Sequence, residues 1–191
     1  MISRRQALIE LLRDDEPAVR ARAAEALDRL DTFEALPGIL GRARSLGRVE
    51  WLEFLRSLVG RRDETCLKVG LRCLEHPEEE VRLAALELVE SFRDLRAGPA
   101  VARHLTDPAP LVRARAVEAL GRLGDRRRAA EAASLLADSD DHVLARACET
   151  VGLLDHAASE PRLLSLLSHP DPDVRAAAAE GLGRMGVSAP S

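Results

Sequence analysis

Five histidines, three cysteines and a large set of carboxylates and guanidiniums are the side chains here that could do chemistry. His76 and His169 each precede a proline and hold a turn position occupied elsewhere by Asp14, Asp107 and Asp138, so a turn-capping role explains them. His104, His142 and His156 are scattered, and no Cys/His spacing of the zinc type accompanies them. Cys66, Cys73 and Cys148 fall inside helical patterns and read as small core hydrophobes of a reducing compartment. There is no Walker loop, no G-x-S-x-G elbow and no dinucleotide fingerprint. No cofactor or metal is expected, and no enzymatic activity is assigned.

What does recur is charge. Glu25, Glu87, Glu118, Glu149 and Glu180 stand at one offset, with Ser57 filling the gap. Arg22, Arg115 and Arg146 lie three residues before their Glu, and Arg29, Arg122 and Arg184 four after. Such spacings make pairs on one helix face, each contributing about 0.2–0.5 kcal/mol. Two readings stay open: a solvated, self-paired face, or a mixed-charge surface for a partner. Arg126, Arg127 and Arg128, with Arg122 a turn earlier, form the one basic knot. It reads as a charged exposed turn, with an acidic partner or phosphate as the alternative.

The elements that carry this stripe repeat. DPDVRAAAAEGLGRMG from Asp171 has a close relative from Asp107 and fainter copies from Asp15, His76 and Ser139. The anchors Val81, Val112, Val143 and Val174 are spaced by 31 residues, and Val19 lies 62 before Val81. A fixed period of this size signals a stack of like units. Six such units fill nearly all of the 191 residues, at about 3–31, 32–62, 63–94, 95–125, 126–155 and 156–187.

Each unit reads as two helices joined by a tight turn. In the first, Ser3 caps a helix to about Arg13, with Ala7, Leu8, Leu11 and Leu12 on one face. Pro17 opens a second helix to about Leu30, with Val19, Ala23, Ala24, Leu27 and Leu30 inward. The second unit is degenerate: Pro37 and Gly38 should shorten or kink its first helix, and Trp51 takes the anchor slot. Trp51 reads as core, an exposed binding anchor being the alternative. Later hairpins pair Glu64–Leu74 with Glu78–Phe92, a helix from Ala97 with Ala109–Leu123, Arg127–Ala137 with Asp140–Leu154, and Ser159–Ser168 with Pro172–Met185. Gly121, Gly152 and Gly183 share one offset; Gly124 and Gly186, three residues on, suit left-handed helix C-caps.

The pattern D-x-x-V-R-x-x-A-x-x-A-L-G-x-L-G-D, carried by Asp107, Val112, Arg113, Ala116, Ala119, Leu120, Gly121, Leu123 and Asp125 and again by Asp171, Val174, Arg175, Leu182 and Gly183, resembles short bacterial HEAT repeats of the phycobilisome-lyase type. The resemblance implies an all-α fold, a right-handed α-α superhelical solenoid of about six helical hairpins in a single domain, with second helices lining the concave face. It also implies that Arg20, Arg82, Arg113 and Arg175 pair with turn carboxylates such as Asp14, Asp107 and Asp171. Leu144 should break that ladder in unit five. Metal-binding HEAT proteins such as deoxyhypusine hydroxylases carry His-Glu dipeptides, which are absent here.

Composition narrows the function. A net charge of −4 from interleaved charges argues against a basic nucleic-acid face. One Trp, three Phe and no Tyr do not furnish the aromatic groove of a HEAT-like DNA glycosylase or an aromatic bilin pocket. MISRRQALIELL turns charged again at Arg13, so no leader is read and a cytoplasmic location is expected. The expected function is a non-catalytic protein–protein scaffold binding along the second helices through Arg22, Glu25, Arg29, Glu87, Arg115, Glu118, Arg122, Arg146, Glu149, Glu180 and Arg184. The alternatives are an accessory subunit resembling HEAT-like bilin lyases, and nucleic-acid binding through Arg-rich turns.

Overall fold

The computed structural model describes residues 3–27, 30, 47–61 and 64–186. Every regular element among them is helical. The chain divides into two compact units, Met1–Trp51 and Leu52–Ser191. The expected kink at Pro37–Gly38, the first helix of the second repeat, Arg29 and the tail from Ser188 all lie outside the described residues.

In the first unit, α1 (Arg4–Leu11) starts at Ser3, whose hydroxyl accepts the Gln6 N–H at 3.1 Å. The helical stretch 17–27, labelled α2, opens on Pro17 as expected. The apolar face of α1 is not buried: Leu11 is 41% and Leu12 39% exposed, and α1 has no buried residue. Ala24, expected inward, is exposed as well, while Ala23 is 3% exposed. The helical phase holds, but a face is buried only where another repeat covers it.

In α3 (Arg48–Leu58), Trp51 is 4% exposed, which settles it as core. The second unit then stacks four hairpins. α4 (Glu64–Cys73) packs on α5 (Glu79–Ser91), and α6 (Gly98–Ala102) on α7 (Pro110–Leu123). α8 (Ala129–Ala133) packs on α9 (Asp141–Leu153), and α10 (Glu160–Leu166) on α11 (Pro172–Arg184). The second helices α5, α7, α9 and α11 stack in series. The first helices of the two middle hairpins are broken, with single 3-10 turns before and after α6 and α8. Pro99, which has no N–H to donate, helps explain the first break. The stretch 126–137 holds neither Gly nor Pro, so packing rather than propensity sets the second.

The recurrent glycines do two different jobs. A Cβ on Gly152 would sit 2.5 Å from the Gly181 carbonyl oxygen, and one on Gly181 2.4 Å from that of Cys148. Bare backbone is what lets α9 and α11 approach. Gly124 caps α7 in the left-handed region at φ 72°, as expected, whereas α11 ends on an extended Met185 and Gly186, at φ 74°, comes one residue later. The equivalent residues of the neighbouring repeats are Arg93 and Asp155, held at φ 50° and 55° without glycine.

Turn chemistry ties the repeats together. Asp14, Asp107 and Asp138 each accept the N–H two residues on, all at 2.9 Å. His76 and His169 do the same through Nδ1, at 3.1 and 3.2 Å, which confirms the capping role and fixes Nδ1 as the unprotonated nitrogen. The arginines meet the expectation in part: Arg82 and Arg113 pair with turn carboxylates, Asp107 and Asp138, whereas Asp14 and Asp171 take no such partner among the described residues. Arg20, Arg82, Arg113 and Arg175 each donate from one terminal nitrogen to two carbonyls of their own turn. In Arg82 and Arg113 the rest of the fork reaches the carboxylate of the next repeat. Arg82 Nε and its second terminal nitrogen donate to Asp107, both at 2.8 Å, and Arg113 grips Asp138 at 2.8 and 2.9 Å. Neither Asp14 nor Asp171 is gripped by the arginine of its own unit. Leu144 does break the ladder; it is buried, and the next turn carries His169.

Candidate protein-binding surface

Because the Glu of each second helix recurs at one offset, it lands on the same side of successive helices. The expected intrahelical pairs form: Arg22–Glu25 at 3.2 Å, Arg115–Glu118 at 3.0 Å, Arg146–Glu149 at 2.8 Å, Arg122–Glu118 at 2.6 Å, and Arg184–Glu180. Glu87 is exposed on α5.

Between α5 and α7 the stripe gains a member not singled out from sequence. Glu90 is 9% exposed and meets Arg115 at 2.9 Å and Arg122 at 2.8 Å. It occupies the offset that holds Gly121, Gly152 and Gly183 in later repeats. That substitution of an acid for a glycine was the signal: a carboxylate paired with Arg115 and Arg122 stands where Gly152 leaves bare backbone between α9 and α11. Glu90, Arg115, Glu118 and Arg122 thereby form a closed network of two acids and two bases. Burial pushes the Glu118 carboxyl up, but Arg115 and Arg122 more than offset it, leaving its pKa lowered.

Between α9 and α11 the same offsets give the opposite result. A groove of about 350 Å³ is lined by Asp141, Arg146, Glu149, Asp171, Asp173 and Glu180, with His142 and the small residues Ala145, Ala176 and Ala177. Leu153 stands where Arg122 stood, so Glu149 has a single intrahelical partner. Burial raises its pKa, and although Arg146 and Arg184 pull it down, Glu180 and Glu118 push it further up. The groove is therefore acidic and under-compensated.

The other candidates are occupied. Arg127 Nε lies 2.8 Å from Asp125, Arg128 2.6 Å from Glu131, and Arg126 3.7 Å from Asp155, so each member of the basic knot meets a carboxylate. His104 is buried, with Nδ1 3.6 Å from Asp107, and His156 Nδ1 lies 2.8 Å from Ser159 Oγ. Among the described residues no group of three or more His, Cys, Asp or Glu is placed to hold a metal ion. All three cysteines are buried free thiols, and burial pushes Cys73 up to about 11 and Cys148 to about 12, far from a reactive thiolate. No helix among the described residues is long and apolar enough to cross a membrane.

Comparison with solved structures places the fold. The complex of CpcE and CpcF of phycocyanin lyase from Nostoc sp. PCC7120 is similar with a TM-score of 0.62 and 16% identity, over 96% of this chain and 65% of that one. This chain thus spans 65% of the length of that relative. The crystal structure of an engineered protein is similar with a TM-score of 0.53 and 15% identity, over 95% and 96% of the two chains. No curated protein matches the sequence. Family models of HEAT repeats match residues 67–144 and 129–190, and a HEAT repeat model matches residues 5–32. Those matches cover well over half of the sequence, and this chain belongs to the HEAT-repeat family.

Proposed function

We propose that the chain is a non-catalytic scaffold, one HEAT-repeat domain, whose protein partner presents a basic segment to the exposed side of α9 and α11. The observation that carries this reading is the contrast between Glu118 and Glu149. At one repeat offset, Glu118 is held by two arginines and Glu149 by one, beside a groove rich in carboxylates. An incoming Arg or Lys would relieve the crowding of Glu149 and Glu180, whereas it would have to break an existing network at Glu118. Stacked repeats also offer an extended surface suited to a segment of another protein. A cytoplasmic location fits three buried free thiols.

An arginine-rich peptide titrated into the isotope-labelled full chain provides the test. Amide shifts should centre on Ala145, Arg146 and Ala176, weaken with salt, and vanish in an E149K/E180K variant that keeps its helical content. Shifts centred on α7, or none at all, would remove the reading.

A second reading, an accessory subunit resembling the phycocyanin lyase chains, is supported by the fold likeness. A change in a tetrapyrrole's absorbance on mixing would favour it over the scaffold. Nucleic-acid binding through the Arg126–Arg128 turn has less support, since all three cations face carboxylates.

A further inference from the structure

One position of the charged stripe is aliphatic. Ten residues past the valine anchors stand Ser91, Arg122, Leu153 and Arg184. The arginines reach back to the glutamate one turn earlier, Arg122 to Glu118 at 2.6 Å and Arg184 to Glu180. Leu153 cannot. It is 47% exposed, although α9 has a second helix packed on either side, α7 and α11. Its Cδ1 would lie 3.4 Å from a Cβ built on Gly121, so the side chain leans on α7 and keeps its outer half in solvent.

Singly exposed leucines are ordinary on a protein surface, and what sets this one apart is the carboxylate beside it. Glu149 lies four residues before Leu153, on the same face, with the two Cβ atoms about 6 Å apart. Lacking an arginine four residues on, Glu149 keeps Arg146 as its one intrahelical partner, at 2.8 Å. Across the groove Glu180 lacks the other one: Ala177, 4% exposed, stands where Arg115 and Arg146 stand. Each glutamate is thus short of one arginine, and Asp141, Asp171 and Asp173 add charge of the same sign along the groove. In an extended segment alternate residues share a face about 6.6 Å apart, which matches the step from Glu149 to Leu153.

We propose that the segment docked on α9 carries an aliphatic residue two positions from its arginine or lysine, with the cation between Glu149 and Glu180 and the aliphatic side chain on Leu153. The inference rests on the scaffold reading and refines it: Leu153 selects among basic segments, favouring those that are not polar throughout. On α7 neither feature is offered, because Arg122 occupies the corresponding position and closes the network of Glu90 and Glu118.

Two peptides titrated into the isotope-labelled full chain test this, one of repeated Arg-Ser-Leu-Ser units and one with serine in place of each leucine. The leucine peptide should bind about fivefold tighter or more, since it covers the exposed half of Leu153. Leu153→Ser should bring that ratio to about one. Leu153→Arg should weaken both peptides about twofold or more, because the new cation would pair with Glu149 as Arg122 does with Glu118. Circular dichroism should show both variants folded, the position being half exposed. Equal affinity for the two peptides, or a preference that survives Leu153→Ser, would overturn the inference and leave the basic-segment reading standing. Binding of neither peptide would remove both together. A leucine peptide with serine for every arginine that bound as well would make the occupant purely apolar, and concentration-dependent Leu153 shifts in the free chain would make it a second copy. Either result would overturn the proposal.

Discussion

The seam between α9 and α11 and the outer face of α11 are built from the same repeat positions and behave as different materials. Gly152 receives a backbone, whereas Gly183 faces open space. Leu136 is 4% exposed and Leu167 is 38% exposed. Arg113 grips a carboxylate with its fork, and Arg175 binds only carbonyls of its own turn. A repeat position thus has no fixed energetic meaning; the neighbouring unit supplies it, as expected of a stack held by nearest-neighbour interfaces.

Paired substitutions test that statement directly. Leu120 is 0% exposed, so Leu120→Ala should cost about 2–5 kcal/mol in chemical denaturation, and Leu182→Ala, half-buried at the same offset, less than half as much. Equal losses would dissolve the distinction. Arg113→Ala should cost about 2–3 kcal/mol, since Asp138 would be left largely buried without its cation, while Arg175→Ala strands no acid and should cost under about 1 kcal/mol.

The same pair predicts a pH dependence. The Arg113 hydrogen bond lowers the Asp138 pKa from its ordinary 3.8, outweighing burial. A lowered folded-state pKa means stability present above 3.8 and lost as pH falls through the folded-state value. Asp138→Asn should flatten the acid limb of a melting-temperature profile in that window. Gly152→Ala should cost about 1–3 kcal/mol by forcing α9 and α11 apart, whereas Gly183→Ala should be neutral or stabilise by up to about 1 kcal/mol through helix propensity.

The smallest effect concerns the charge stripe. Glu118→Gln should lower neutral-pH stability by roughly 0.5 kcal/mol, and Glu149→Gln should raise it slightly, because a raised folded-state pKa penalises the charged form above the unfolded value. Thermal melts at pH 7 would show whether the two signs differ.

Much of this was legible in the chain itself. The 31-residue step of the valines located the second helices to within a residue or two, because a 3.6-residue period with proline and glycine at its ends leaves little freedom. The capping role of His76 and His169 was readable from their turn slot. The direction of the arginine fork was not, since sequence shows that a cation and an acid recur but not which copy the acid belongs to. A pattern of pairs would have revealed it. Aspartate at 107 and 138 follows Arg82 and Arg113, while histidine at 76 and 169 follows Leu52 and Leu144. Glu90 stayed hidden because its burial depends on the spacing of two helices, and the exposure of Leu11 and Leu12 because amphipathicity marks a face without saying what covers it.

That coupling has a consequence for how such a chain can grow. The hairpin is the visible module, yet the partnership between arginine and aspartate straddles two hairpins. Duplicating the α4–α5 or α10–α11 hairpin whole would set an arginine before a histidine at the new joint, and duplicating the α8–α9 hairpin a leucine before an aspartate. For those hairpins, only a cut between the anchor helix and its own preceding turn keeps each arginine with its aspartate, so the piece inherited intact is out of step with the piece the eye would choose.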